Sequence, residues 1–297
     1  MEVATINTVL GQRAGVLELV FGLLPPRDMK NVVLVCQLWR EVGEAPRFWA
    51  WVVLRENMST MPERLSCSRL QAVRELRVEW RVDVSEEMLQ AVARHQGLRV
   101  MGMGGAHLSL VDPGLLARVV NRLEEVEMWS LDLTVKQWEE VMIVKVKGDS
   151  RLKKLDLSNN ILPKVDAGLL ARAVARLEEV KLWDTRLTMK QWEDVMTAIG
   201  QGDSRLKKLE ISNNNMSKVD PGLLARAVNR LEEVDMYRTQ LTFKQAEAIL
   251  TQSLVKTSLR KLEFSEDWNS FPDNDPEDVD EDLVARARLV IGELRKW

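Results

Sequence analysis

The stretch Leu152-Lys-Lys-Leu155-Asp-Leu157-Ser-Asn-Asn160-Ile-Leu162 overlaps SRLKKLDLSNN (Ser150–Asn160), and nearly the same letters return as SRLKKLEISNN (Ser204–Asn214), 54 residues later. Leu155 and Leu157 flank a charged residue, the period-2 pattern of a half-buried strand. Working outward, VDPGLLARVVNRLEEV (Val111–Val126) recurs as VDAGLLARAVARLEEV (Val165–Val180) and as VDPGLLARAVNRLEEV (Val219–Val234), each again 54 residues on. Self-similarity at a fixed period marks an array of stacked units. The 54-residue period itself divides. Leu-x-x-Leu-x-Leu aligns at Val73, Leu98, Leu123, Leu152, Leu177, Leu206, Leu231 and Leu259, with spacings of 25, 25, 29, 25, 29, 25 and 28.

Each strand signal is followed by an amphipathic helix whose start is written in the sequence. Asp112-Pro113 and Asp220-Pro221 set a capping acid before a proline at the first helical position. Thr134-x-x-Gln137, Thr188-x-x-Gln191 and Thr242-x-x-Gln245 have the form of capping boxes and open the alternate helices. Strand–helix units that cannot bury an apolar face alone must stack. Leu152 to Leu162 fits LxxLxLxxNxL at every fixed place, and over residues 73–265 the chain resembles the leucine-rich-repeat family, with unit lengths like the ribonuclease-inhibitor type. That resemblance implies an α/β solenoid of about eight repeats, with parallel strands on the concave face and helices on the convex face.

Residues 1–60 carry no repeat and read as short helices, Gly15–Leu24 and Met29–Val42, separated by Pro25-Pro26. Val20-Phe21-x-x-Leu24-Pro25-Pro26-Arg27-Asp28-Met29, Val32-x-Leu34-Val35-Cys36-x-x-Trp39-Arg40 and Pro46-x-Phe48-Trp49 together resemble an F-box, an all-helical module. The resemblance implies docking on a Skp-type adaptor, and through it on a cullin. Val20, Phe21, Leu24, Pro25, Met29, Val32 and Trp49 would be the adaptor contacts or their supports. The usual Leu-Pro-x-Glu opening is replaced by Gln12-Arg13-Ala14-Gly15. A second reading therefore stays open, in which the F-box only caps the N-terminus of a stand-alone binding scaffold or inhibitor. The division expected is an F-box over residues 1–60 and a solenoid over 61–265. An acidic loop and capping helix follow over 266–297, with Leu283–Trp297 helical.

Composition narrows the chemistry. Lys plus Arg is 42 and Asp plus Glu 45, a net charge of −3 that offers no bulk attraction to nucleic acid or membrane. Cys36 and Cys67 are too few for a disulfide framework or a cysteine zinc site, and His95 and His107 read as structural. The best apolar stretch near the start, Ala14–Leu24, is broken by Glu18 and lacks a basic flank, so the expectation is a cytoplasmic or nuclear protein. Asp273-x-Asp275-x-Glu277 lacks the glycine and the final glutamate of a calcium loop. Gly102-x-Gly104-Gly105 is a strand-end turn rather than a phosphate loop. No catalytic constellation and no cofactor motif emerges, and the expectation is a non-enzymatic binding subunit.

The residues that such strands point away from the core then carry the function. At the third place stand Glu125, Lys154, Glu179, Lys208, Glu233 and Lys261, a ladder of alternating sign. At the fifth stand Glu127, Asp156, Lys181, Glu210, Asp235 and Glu263, five of six acidic. At the seventh, Trp129, Ser158, Trp183, Ser212, Tyr237 and Ser265 place an aromatic on every second strand. An acidic row beside spaced rings suits a basic, partly apolar segment of a target protein. Glu127, Trp129, Asp156, Lys181, Trp183, Glu210, Asp235 and Tyr237 are the candidate target contacts. Trp138 and Trp192 lie in the capping-box helices and read as packing or convex surface.

Overall fold

The computed structural model describes residues 51–54, 73–78, 83–148, 150–264, 281–291 and 293–296. Strands β1 (Trp51–Leu54) and β2 (Glu75–Val78) open the described chain. Strand and helix then alternate: α1 (Glu86–Arg94), β3 (Val100–Gly102), α2 (Pro113–Arg122), β4 (Glu125–Glu127), α3 (Val135–Lys147) and β5 (Lys154–Asp156). The alternation continues through α4 (Ala167–Ala175), β6 (Glu179–Lys181), α5 (Met189–Gly200), β7 (Lys208–Glu210), α6 (Pro221–Val228) and β8 (Glu233–Met236). It ends with α7 (Phe243–Val255), β9 (Lys261–Phe264), α8 (Glu281–Val290) and β10 (Glu293–Lys296).

These ten strands form one sheet in chain order, and every neighbouring pair is parallel. Helices are about 10 Å across and strands about 4.8 Å apart, so one helix per strand bends the stack with the sheet on the inside. Three apolar residues per unit fill the space between the layers. From Val73, Leu76 and Val78 to Leu259, Leu262 and Phe264, none is more than 7 % exposed. Trp138 and Trp192 are core residues at 2 % and 1 % exposure.

The helix starts are those the sequence signals. Asp112 and Asp220 accept from the backbone N–H three residues on, with proline in the first turn, and Asp166 caps α4 in the same way without a proline. All three Thr–Gln pairs form complete capping boxes. Each buried glutamine also does something the motif does not announce. Its Oε1 accepts from the threonine N–H, while its Nε2 donates to two carbonyls of the strand-to-helix loop in the preceding unit. Gln137 reaches Leu108 and Val111, both at 2.8 Å, Gln191 reaches Leu162 and Val165 at 2.9 and 2.8 Å, and Gln245 reaches Met216 and Val219, both at 2.7 Å. The alternate loops are closed by Asn160 and Asn214. Asn160 donates to the Met128 and Leu157 carbonyls and accepts from Leu131 N–H, tying the loops after β4 and β5 at one amide.

Two boundaries differ from expectation. Trp51–Leu54 falls within the span read as helical, yet it is a strand pairing with β2. Its WVVL run is aromatic and β-branched, which favours an extended chain at an open sheet edge. The expected helix Leu283–Trp297 ends at Val290, and Glu293–Lys296 instead pairs with β9. The last strand's exposed edge outcompetes a short helix there. The F-box candidates Val20, Phe21, Leu24, Pro25, Met29, Val32 and Trp49 lie outside the described residues, as do Cys36, Cys67 and the acidic stretch 265–280. Among the described residues no helix is long and apolar enough to cross a membrane.

Candidate binding face

Strand register brings the outward-facing places into continuous rows. The third-place row runs Glu125, Lys154, Glu179, Lys208, Glu233 and Lys261 as direct partners on successive strands. Its alternation is realised as ion pairs: Lys154 lies 3.3 Å from Glu125 and 3.7 Å from Glu179, and Lys208 lies 2.7 Å from Glu233. These half-exposed pairs contribute modestly, about 0.2–1 kcal/mol each, and hold the strands in register.

The fifth-place row is less balanced. Extended back by two units it begins with Arg77 and Gly102. Arg77 reaches past the intervening strand to Glu127, its Nη1 lying 2.6 and 2.8 Å from the two carboxylate oxygens. Gly102 makes this possible, because a Cβ there would stand 3.0 Å from Glu127 Oε2 and 3.2 Å from Arg77 Cγ. Glu127 is thus matched to a cation within the fold. Beyond it the acids crowd. Asp156 accepts from Ser158 N–H at 2.9 Å, and Asp235 accepts from Tyr237 N–H at 2.9 Å and from the Ser212 hydroxyl at 2.8 Å. Lys181 stands 3.8 Å from Glu210. Burial raises the Glu210 carboxyl above its ordinary range; Lys181 opposes that, and Asp235, Asp156 and Glu179 add to it.

Ionising Glu210 therefore costs the folded state free energy. Its contribution is favourable below the unfolded-state value and is lost as pH rises through the higher folded-state one. Glu210→Gln is expected to raise the melting temperature at pH 7, with the gain fading toward pH 4. Thermal melts of both proteins across that range check this.

The seventh-place row alternates in depth as well as in chemistry. Ser158 and Ser212 are buried, at 7 % and 5 % exposure, whereas Trp183 and Tyr237 stand out at 36 % and 37 %. Rings on alternate strands are spaced about 10 Å apart, twice the strand separation. Trp129 is half-buried because its ring occupies the place a Cβ on Gly104 would need, 2.0 Å from Trp129 Cε2. The Gly102–Gly105 stretch is the strand-end turn expected, with Gly105 at φ 70°. The same left-handed turn follows the seventh place in later units, at Ser130, Asn159, Asp184, Asn213 and Arg238, with φ between 47° and 57°. At the last of these, the Arg238 guanidinium lies over the Tyr237 ring, 5.1 Å from its centre.

Trp183, Glu210, Ser212, Asp235, Tyr237 and Glu263 together line an open hollow of about 450 Å³ on the sheet. Two rings and three carboxylates in its lining equip it to hold an apolar stem ending in a positive charge. Of the eight candidate contacts, this hollow gathers Trp183, Glu210, Asp235 and Tyr237. Lys181 stands beside it, Asp156 is on the adjoining strand, and Glu127 and Trp129 belong to the Arg77 and Gly104 end. Arg77 has no motif to announce it, and Gly102 and Gly104, legible as a turn, also make room for the Arg77–Glu127 pair and for the Trp129 ring; carrying the rows back through the first two units reveals this.

His95 and His107 stand apart from this face. His95 ends α1 and its Nδ1 accepts from Leu98 N–H at 3.1 Å, and His107 lies 3.7 Å from Asp132. No family model matches the chain, and no curated protein matches it.

Proposed function

We propose that this protein is the target-binding subunit of a Skp–cullin–F-box type ubiquitin ligase, built on leucine-rich repeats. The carrying observation is the hollow between Trp183 and Tyr237, where two exposed rings share the lining with crowded carboxylates. A fold needing only stability has no use for like charges side by side with large apolar rings exposed. A basic, partly apolar segment of a target would relieve both. On this reading the chain performs no chemistry and takes no cofactor. It holds a target near a conjugating enzyme carried elsewhere on the assembly, so that target lysines react at high local concentration.

The F-box half of the proposal rests on the motifs around Pro25 and Trp49. A pull-down of the full chain with a Skp-type adaptor, beside the Pro25→Ala, Trp49→Ala variant, tests it. Binding by the wild type that the variant loses is the expected result. No binding by a well-folded wild type would leave the concave face as the whole function, the reading that the Gln12-Arg13-Ala14-Gly15 opening favours.

A further inference from the structure

A second hollow lies on the flank of the solenoid where helices end and strands begin, away from the concave face. It measures about 370 Å³ and is lined from the end of α3, the entry to β5, the end of α4 and the entry to β7. At its floor is Lys145, 7 % exposed, whose Nζ donates to the Leu152 carbonyl. Arg151, Arg176 and Arg205 stand exposed around the rim.

The repeats show that the fold does not need a lysine there. The residues 54 and 108 places on, in the units whose helices open with the same Thr-x-x-Gln box, are Ile199 and Ser253, both buried. A buried ammonium in place of an isoleucine costs stability unless something negative meets it. The surroundings mostly do the opposite. Burial, and then the charges of Arg205 and Arg176, push the Lys145 ammonium down to about 8, with Glu178 opposing them. Lys153 is matched by Glu124 at 3.2 Å. Arg176 donates to the Val146 carbonyl, and Arg151 and Arg205 make no ion pair among the described residues. Glu178 is the remaining acid on the wall.

We propose that this hollow binds a small phosphate-bearing anion, with Lys145 beneath it and Arg151, Arg176 and Arg205 around it. Guanidinium groups present paired N–H donors that match phosphate oxygens, and several convergent donors fix such a group far better than one. The volume lies in the range of small-molecule sites, so the hollow has room for more than a single phosphate group. The site is independent of the concave face and of any adaptor.

Isothermal titration of the full chain with inorganic pyrophosphate, and separately with inorganic phosphate, tests the assignment. The comparison variant is Lys145→Ile, Arg205→Ser, which installs the residues standing at the matching places, Ile199 and Ser258. Saturable binding of either anion by the wild type, weakened at least about tenfold in the variant at unchanged melting temperature, is expected. Should that variant melt early, the exposed pair Arg151→Gln, Arg205→Gln carries the same expectation. No saturable binding of either anion up to about 1 mM, or equal affinity in a folded variant, overturns the proposal.

Discussion

Replacing Gln191 with Glu is expected to destabilise the protein by about 4 kcal/mol, although the two side chains have the same shape and both complete capping boxes. At position 191 the cap needs only an acceptor, and a glutamate supplies one for Thr188 N–H. What it cannot supply is the Nε2 that donates to the Leu162 and Val165 carbonyls. Those two oxygens would be left facing a carboxylate at a site 1 % exposed, and each unmet buried group costs about 1–3 kcal/mol. For a chain of this size the loss corresponds to a fall of about 6 °C in melting temperature. Part of it should return as pH falls, because the introduced carboxyl, once protonated, carries one O–H donor. Melts of Gln191→Glu between pH 4 and pH 8 check both the size and the slope. A variant as stable as the wild type at pH 8 would mean that the glutamines do not staple the loops.

The second large effect separates recognition from stability. Trp183→Ala is expected to remove most of the target affinity, about 30-fold or more if Trp183 is an interface anchor of the usual strength. Its ring is over a third exposed, so the fold should survive. Trp192→Ala is the counter-case: it empties a fully buried site and should cost about 3–5 kcal/mol with no direct part in binding. Proximity labelling in cells with wild type and Trp183→Ala reads out the partner set, and denaturant melts read out stability. An unchanged partner set with Trp183→Ala would sink the concave-face assignment.

Much of this architecture is legible in the letters because its determinants are local. All eight aligned starts lie two residues before a strand, and the Asp-Pro and Thr-x-x-Gln signals mark true helix starts. Such features need only the next turn of chain to act. The parts that were not legible depend on neighbours brought together by stacking. Arg77 meets Glu127 fifty residues away across a strand, and nothing near either residue foretells it. The ring of cations around Lys145 draws on segments from three units. Strands β1 and β10 have no signature in the letters because each is a four-residue run outside the repeat pattern, made extended by the sheet edge beside it. The left-handed turns at Ser130 and Arg238 lack the glycine that would have announced them.

The alternation of the third-place row also sets how such a chain can change its length. Excising one 25- or 29-residue unit between Glu125 and Glu179 would set two glutamates side by side and bring Trp129 against Trp183 on adjacent strands. Excising or duplicating a full 54-residue pair keeps the third-place signs alternating and every ring beside a serine. The smallest step by which this solenoid can grow or shrink without breaking that alternation is therefore two units, and its span changes in increments of about 10 Å.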